Sequence, residues 1–198
     1  MKRTKKDWII DGFILLATFA VANLYFILNA PSNNLYSVKT FIDDLIPRIP
    51  IFVVPYLLFL PWLWSIVVWA WLKNRSFRQL ALALTITNLI AYAVYAFWQT
   101  VVPREVIAGQ DIYSNLLQFV YNKDLPYAGF PSLHCGLSTV AATYFLITKS
   151  RLTGVMMLVA GLIVISTLLT KQHFFLDAVA GVILGYFVTK LVFRLYDY

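Results

Sequence analysis

Residues 152–193 read LTGVMMLVAGLIVISTLLTKQHFFLDAVAGVILGYFVTKLVF, two apolar blocks joined by a short polar segment. Each block approaches the length of about 20 apolar residues that a helix needs to cross a bilayer. In the second block, Gly181 and Gly185 are four residues apart and form a small-residue face suited to close helix packing. The stretch therefore predicts two membrane helices, over about 152–170 and 173–193, connected by a tight turn.

The composition extends this prediction to the whole chain. Of the 198 residues, 61% are hydrophobic and 17% aromatic, whereas only 13% are charged. Because a soluble domain carries about 25% charged residues, the composition indicates a polytopic membrane protein with little room for a soluble domain. The net charge of +7 comes from residues that flank apolar blocks, which membrane topology explains better than nucleic-acid binding. A single cysteine, Cys135, excludes an internal disulfide framework.

We predict an all-α fold, a bundle of six transmembrane helices that forms one integral membrane domain over residues 1–198. The first apolar block follows a basic cluster, but it is too long for a signal peptide and is expected to be an uncleaved anchor. Residues 31–50 are predicted to form an interfacial loop or helix, and residues 111–122 an amphipathic surface helix. Residues 121–127 are interpreted as a solvated loop, and the alternative is that Tyr121, Asn122, Lys123, Asp124 and Tyr127 line the entrance to a site. The predicted spans are 8–29, 51–72, 80–102, 131–148, 152–170 and 173–193.

The distribution of Lys and Arg predicts the orientation of the bundle. The N-terminus, the loops near Lys73 and Lys149 and the C-terminal end carry eleven of these residues, and the opposite side carries five. Cytoplasmic loops are enriched in Lys and Arg. Both termini are therefore expected in the cytoplasm.

The polar segment between the last two blocks holds Lys171, His173 and Asp177. An ionisable residue at membrane depth is costly, and by default it indicates a functional site. His173 and Asp177 are four residues apart, so a helix would stack the carboxylate beside the imidazole. An imidazole held by a carboxylate can act as a nucleophile or a general base. From these residues alone, a polar helix cap with a histidine satisfied at the interface is the open alternative.

The six-span topology brings further polar groups to the same extracytoplasmic end. Arg104 lies at the outer end of span three, and Ser132 and His134 lie at the outer start of span four. The polar segment around His173 lies where spans five and six meet. Two histidines, two cations, a serine and an aspartate at one membrane boundary are hard to explain by packing, which favours a functional site.

These side chains suit phosphoryl transfer. Arg104 presents a planar fork, and Lys171 a point charge, to phosphate oxygens. Ser132 begins a helix, where its hydroxyl and the free backbone N–H groups can bind an anion. His173 can attack phosphorus and form a phosphohistidine, while His134 protonates the leaving oxygen and then activates water or an acceptor hydroxyl; no metal is required. Taken singly, His134 would be read as a core histidine and Lys171 as a snorkelling lysine.

A P-S-x-H motif at residues 131–134, followed by S-x6-H-x3-D at residues 166–177 and preceded by Arg104, resembles the motifs of the type 2 phosphatidic acid phosphatase superfamily. These are integral membrane lipid phosphatases. The resemblance implies substrates such as phosphatidic acid, phosphatidylglycerophosphate or polyprenyl pyrophosphates. The roles that it implies are nucleophile for His173, its partner for Asp177, acid and base for His134, and phosphate ligands for Ser132 and Arg104.

The chain departs from the family's pattern mainly at phosphate-binding positions. Phe97 stands where the family has Lys, Glu105 replaces a Pro, and Leu133 replaces a Gly. Thr167 replaces an Arg in the last motif, and Lys171 is expected to substitute for it from the same helical face if the helix continues that far. These departures resemble the branch that includes inositol phosphorylceramide synthase, which hands a phospho-headgroup to another lipid.

We therefore predict a metal-independent lipid phosphatase or pyrophosphatase that acts at the extracytoplasmic face of the cell membrane through a phosphohistidine. Its expected partners are a lipid phosphate and the bilayer, with no cofactor and no nucleic acid, and its oligomeric state stays open. Two alternatives also stay open: a transferase that moves a phospho-headgroup between lipids, and a non-catalytic lipid-binding or transport protein. A metal hydrolase built on the two histidines and Asp177 is a minor further possibility that chelator resistance would remove.

Overall fold

A computed structural model describes residues 3–32, 34–73 and 76–196, and in these ranges the protein is helical with no β-sheet. The all-α prediction is confirmed for this part of the chain. A short 3₁₀ turn, Pro50–Phe52, leads into the fourth helix. The α-helices in chain order are α1 (Lys5–Asn23), α2 (Tyr25–Leu28), α3 (Phe41–Leu45), α4 (Val53–Lys73), α5 (Phe77–Phe97), α6 (Ile112–Lys123), α7 (Leu133–Ile147), α8 (Thr153–Leu169) and α9 (Phe175–Tyr196).

Each of the six predicted spans contains a helix, but the helices differ in length. The described residues contain four segments long and apolar enough to cross a membrane: Lys5–Leu28, Pro50–Lys73, Phe77–Phe97 and Phe175–Tyr196. The remaining two, α7 and α8, have 15 and 17 residues. At 1.5 Å per residue, they reach about 22–26 Å, less than the ~30 Å hydrocarbon core. The number of spans and the position of the termini stay predictions.

At two places a helix begins or ends several residues away from the limit predicted for its span. Span three was expected to continue to Val102, but α5 ends at Phe97. The chain then becomes extended, and Tyr36 pairs with it through its backbone, its N–H donating to Gln99 O at 3.0 Å. Span six was expected to begin at His173, but α9 begins at Phe175, after a turn in which Lys171 has a φ of 54°.

Helix α7 lies at the centre of the bundle and contacts α4, α5, α8 and α9. Its closest approach is to α9, at the predicted small-residue face. A Cβ atom added to Gly181 would collide with the carbonyl oxygen of Ser132, and one added to Gly185 with that of Gly136. Glycine at these two positions therefore lets the backbones of α7 and α9 touch, which fixes the N-terminal ends of both helices side by side.

The N-terminal helix is attached to α5 by buried charges. The carboxylate of Asp11, which is 1% exposed, accepts a hydrogen bond from Arg78 Nε at 2.5 Å and lies 3.1 Å from Arg3 Nη2. Such a pair needs its hydrogen bonds to offset the desolvation of the charges. This contact holds the N-terminal end of α1 against α5. The C-terminal half of α1 lines a cleft beside His134.

Candidate active site

The turn between α8 and α9 carries His173. Helix α8 ends at Leu169, and the backbone N–H groups of Gln172 and His173 both donate to Thr167 O, at 2.9 and 3.1 Å. This pattern caps the last carbonyls of the helix and needs a left-handed residue, which here is Lys171. The turn is therefore a defined structure, and it holds the His173 side chain in a position that is 8% exposed.

The hydrogen bond of His173 defines which ring nitrogen is protonated. Its Nδ1 lies 3.1 Å from Gly129 O. Because a carbonyl oxygen only accepts, Nδ1 carries the proton and donates it, which leaves the lone pair on Nε2. Asp177 Oδ2 lies 3.6 Å from the same Nδ1, and the Asp177 side chain is fully buried. The ring thus has a backbone acceptor for its proton and a carboxylate nearby.

The sequence had predicted that His173 and Asp177 would stack on one face of a helix, but in the structure they do not. His173 precedes α9, and Asp177 lies in its first turn. The Asp177 carboxylate accepts a hydrogen bond from Phe174 N at 2.8 Å, so that it caps the helix and approaches the imidazole at once. The helix start and the position of His173 therefore depend on the same side chain.

His134 lies in the first turn of α7 and faces His173, with 5.7 Å between the ring centroids. It stacks on Tyr56, at a centroid distance of 4.5 Å, and packs against Phe59 at 4.6 Å. Ser132 is the N-cap of the same helix: its hydroxyl accepts from Cys135 N at 3.3 Å, and its own N–H donates to Asp177 O at 3.0 Å. The starts of α7 and α9 are thus bonded to each other, which brings both histidines to one place.

Arg104 contacts this place from the extended chain after α5. Its Nη1 donates to the carbonyl oxygens of Lys171 and Gln172, at 3.2 and 3.3 Å, and its Nη2 to Asp124 O at 3.2 Å. The guanidinium carbon lies 5.2 Å from the centre of the Tyr121 ring. Its buried Nε finds no hydrogen-bond partner among the described residues. Arg104 therefore holds the His173 turn and keeps one buried donor free.

Lys171 does not substitute for position 167 along a helical face, because α8 ends before it and its own backbone is left-handed. Its Nζ donates to Asp43 O at 2.7 Å. The Thr167 hydroxyl instead faces the interior, where it donates to Val164 O at 2.7 Å and lies 3.5 Å from Cys135 Sγ. The positive charge of Lys171 thus approaches the site from the side of α3.

Asp124, which the sequence had placed in a solvated loop, is a partly buried residue that joins several hydrogen bonds. Its carboxylate accepts from Tyr25 Oη at 2.6 Å, from Asn29 Nδ2 at 3.0 Å and from Tyr56 Oη at 2.5 Å. These partners are 99, 95 and 68 residues away in the chain, so no local sequence signal indicates the contact. Through Tyr56, Asp124 supports the ring on which His134 stacks.

Two cavities flank the histidine pair. A polar one of about 240 Å³ is lined by His173 together with charged residues of the α3 region, Glu105 and Lys171. A larger one, of about 360 Å³, is lined mainly by apolar side chains of α1, α4, α5 and α7, and His134 and Asp124 lie on its wall. The site thus has a polar side reached from His173 and a hydrocarbon side reached from His134.

The residues that the structure describes contain no group of three or more His, Cys, Asp or Glu placed to hold a metal ion. Of the six side chains predicted for the site, all lie in this one region, linked by the contacts above. Sequence reasoning missed Asp124, Tyr56 and Asp43, whose partners come from distant parts of the chain.

A family model described as the PAP2 superfamily matches residues 50–191. The match covers more than two thirds of the 198 residues and includes every predicted site residue. The chain therefore belongs to this superfamily of type 2 phosphatidic acid phosphatases, which confirms the resemblance and indicates a membrane protein with a lipid phosphatase type of function. No curated protein and no solved structure matches the chain. Helices α1, α2 and α3 lie outside the matched region.

Proposed function

We propose that the protein is a metal-independent lipid phosphatase or pyrophosphatase that works through a phosphohistidine on His173. One observation carries the proposal: the two histidine rings face each other at 5.7 Å between a polar cavity and an apolar cleft. This arrangement suits a substrate with a phosphate at one end and hydrocarbon at the other. Phosphatidic acid, phosphatidylglycerophosphate and polyprenyl pyrophosphates are the classes we propose.

In the first half of the proposed reaction, His173 Nε2 attacks phosphorus. The new N–P bond forms as the P–O bond to the lipid breaks, and His134, entering protonated, gives its proton to the leaving oxygen. The attack places positive charge on the imidazole, and the Asp177 carboxylate, 3.6 Å from Nδ1, would stabilise it. Gly129 O keeps the ring in the tautomer that exposes Nε2.

In the second half, water replaces the lipid. His134, now neutral, takes a proton from the water as its oxygen attacks phosphorus, the N–P bond breaks, and phosphate leaves. His134 thereby regains the proton that the next turnover needs. The electrons of the broken N–P bond return to His173 Nε2, so that both histidines end as they began.

Arg104, Lys171 and Ser132 are the proposed phosphate ligands. The free Nε of Arg104 supports this role for the arginine. Ser132 stands at the start of α7, where helix N–H groups favour an anion. Lys171 brings a positive charge to the cavity that His173 lines. Each of these groups would offset the negative charge on the phosphoryl oxygens during the transfer.

We propose that the site lies at the extracytoplasmic face of the cell membrane. The support is the asymmetry of Lys and Arg, eleven against five, which favours the cytoplasm for the opposite end of the bundle.

Transfer of a phospho-headgroup to a second lipid is the alternative that the motif departures favour. It uses the same first half-reaction, and a lipid hydroxyl then takes the place of water beside His134, on the apolar side of the site. A non-catalytic lipid-binding protein is the further alternative; it predicts that parent and His173→Ala bind lipid equally and that neither has turnover.

The test is phosphate release from a panel of lipid phosphates and pyrophosphates, in detergent with a chelator, by the parent and by His173→Ala. We expect release by the parent only, and a phosphorylated parent whose label is stable to alkali and labile to acid. Equal release by both proteins would overturn the histidine mechanism. If the folded parent releases nothing, lipid acceptors are supplied next; a transferred headgroup would then establish the transferase, and its absence the non-catalytic case.

A further inference from the structure

His134 is held in place by aromatic rings. It stacks on Tyr56, packs against Phe59 and faces His173, and it forms no hydrogen bond with a residue of the described ranges. The proposed reaction needs this ring as a cation, because it must give a proton to the leaving oxygen. The cleft beside the ring is mainly apolar, and a positive charge there is costly unless an anion lies close by. The site therefore needs a counter-charge for His134.

Asp124 is the anion on this side of the site. Among the described residues, the titratable or charged groups that act on the His134 ring are His173, Asp124 and Arg104. Of these three, only Asp124 is negative, and it lies on the wall of the same apolar cleft as His134. Its Oδ2 accepts a hydrogen bond from Tyr56 Oη at 2.5 Å, and the Tyr56 ring stacks on the imidazole. Tyr56 thus links the carboxylate to the acid.

The carboxylate of Asp124 has hydrogen-bond donors but no cation. Its oxygens are bonded by three neutral groups: Tyr25 Oη, Asn29 Nδ2 and Tyr56 Oη. Asp11 and Glu105 are each paired with arginine, whereas no ion pair in the described part of the chain includes Asp124. Arg104 donates to the backbone oxygen of Asp124 and not to its side chain. The cleft therefore holds an anion without a cation, together with a histidine that needs an anion.

We propose that Asp124 is a positioning residue for the acid step, whose charge balances the protonated His134 ring and so keeps a proton there before the lipid enters. The proposal rests on the proposed function and adds a residue to it. No bond to Asp124 forms or breaks: the proton passes from His134 to the leaving oxygen and is replaced from water in the second half-reaction. A bound lipid phosphate brings negative charge of its own, so Asp124 matters most in the empty site.

Histidine NMR tests this without turnover, because the chain has two histidines. The ring signals of His134 and His173 are followed against pH in the full chain, in detergent and without a histidine tag, and His173→Gln assigns them. In Asp124→Asn we expect His134 to lose its proton about one pH unit lower than in the parent, the smaller end of the usual effect of a nearby opposite charge. The titration of His173 should change little.

Further variants separate the charge from the packing. Tyr25→Phe removes one hydrogen bond from Asp124 but keeps its charge, so it should cost stability without lowering the titration midpoint of His134. Asp177→Asn removes the carboxylate beside His173 and should lower the midpoint of His173 instead. If Asp124→Asn does not fold, Asp124→Ser, whose hydroxyl can also accept from the tyrosines, repeats the test.

Turnover gives a second readout. With phosphatidic acid, kcat/KM of Asp124→Asn should be about tenfold below the parent at high pH and approach the parental value at low pH, where His134 is protonated in both proteins. A loss that is equal at every pH would overturn the proposal. So would equal His134 midpoints in parent and variant, an equal fall in Tyr25→Phe, or a His134 ring that stays neutral in the folded parent at every pH. Because the titration needs no catalysis, failure of the proposed function would appear separately, in the release assay.

Discussion

The proton of His173 is on Nδ1, and this determines which ring atom can react. Nδ1 donates a hydrogen bond of 3.1 Å to the Gly129 carbonyl oxygen, so Nε2 is the nitrogen with a lone pair. Asp177 is beyond hydrogen-bond distance of Nδ1, at 3.6 Å, and acts on the ring through its charge. Its hydrogen bond goes to Phe174 N instead, at the start of α9. In the proposed mechanism, orientation of the ring and stabilisation of its charge therefore come from different groups.

These two duties of Asp177 can be separated by mutation. Asp177→Asn keeps an oxygen that can accept from Phe174 N but removes the charge. We expect kcat to fall by about 100- to 1000-fold, the usual effect of removing one electrostatic group from an active site, with little change in the thermal midpoint. Asp177→Ala should lower both kcat and the thermal midpoint. Kinetics and thermal unfolding in detergent measure the two effects, and an Asn variant with parental kcat would contradict the role of the charge.

Tyr56 also has two duties, because its ring stacks on His134 and its hydroxyl donates to Asp124. Tyr56→Phe keeps the ring and leaves the carboxylate short of one partner, so we expect a loss of about 1–3 kcal/mol in stability with kcat nearly unchanged. Tyr56→Leu removes the stacked ring as well, and kcat should fall about tenfold or more as His134 moves.

Tyr92→Phe is the matched control for these variants. Its hydroxyl donates to Ala22 O at 3.0 Å, and its ring lies beside that of Tyr95 on the wall of the apolar cleft. The variant keeps this ring, so it should cost some stability and leave kcat nearly unchanged. If Tyr56→Leu retained full kcat, the stacking on Tyr56 would have no part in placing His134.

At the scale of elements, two helices begin with the same capping box and differ in what the cap touches. Thr4 and Asp7 form the box of α1, and Thr40 and Asp43 form that of α3. The aspartate of the first box also accepts a hydrogen bond from Arg78 Nη2 of α5, at 3.2 Å, whereas that of the second accepts one from Phe175 N of α9, at 2.6 Å, beside the His173 turn. The short helix α3 is therefore part of the support of the His173 turn.

Alanine at either aspartate, the N3 residue of its capping box, should cost about 1 kcal/mol, the usual value of one such hydrogen bond. Asp43→Ala should in addition lower kcat about tenfold on phosphatidic acid, a substrate without a headgroup, because the turn loses an anchor. Asp43→Asn, whose amide oxygen can still accept from Phe175 N, should restore most of that loss. If Asp7→Ala lowered kcat as much as Asp43→Ala does, Asp43 would have no specific role in positioning the His173 turn.

The contact of α7 with α9 gives a test of packing. Gly185→Ala would press a methyl group on the Gly136 carbonyl, and overpacking of this kind costs about 1–3 kcal/mol. Gly161→Ala, in α8, meets nothing within 4 Å and should be neutral or slightly stabilising. Thermal unfolding compares the two. Equal midpoints would mean that α7 and α9 do not depend on this close approach.

For the molecule as a whole, the predicted orientation can be measured with cysteine labels, because the single native cysteine, Cys135, is buried. Ser37 is exposed near the site, and Ser150 is partly exposed in the turn between α7 and α8. With the site extracytoplasmic, a membrane-impermeant maleimide should label Ser37→Cys in intact cells and Ser150→Cys only after permeabilisation. The reverse pattern would place the site in the cytoplasm.

The helices, and the closeness of the six candidate side chains to one another, were predictable from the sequence because both depend on local patterns. Apolar blocks indicate helices wherever they occur, and the spacing around His134 and His173 belongs to short motifs. The supports of the site were not predictable. Asp124 reaches Tyr25 across 99 residues, and Asp43 reaches Phe175 across 132, so their partners depend on how the helices pack. The left-handed turn at Lys171 was likewise not predictable, because it depends on α8 ending at Leu169 and a non-glycine residue gives no sequence signal for this conformation.

The family match begins at residue 50, and every proposed catalytic or phosphate-binding residue lies within it. The residues before it supply walls to both cavities, from Lys39 to Arg48 on the polar side and from Thr18 to Phe26 on the apolar side. In the proposed reaction, the groups that act on the phosphate thus all come from the second stretch, whereas the walls around the lipid come from both. A change within residues 18–48, other than at Asp43, which holds the His173 turn, would reshape both cavities without replacing a proposed catalytic residue, and we expect it to change which lipid fits.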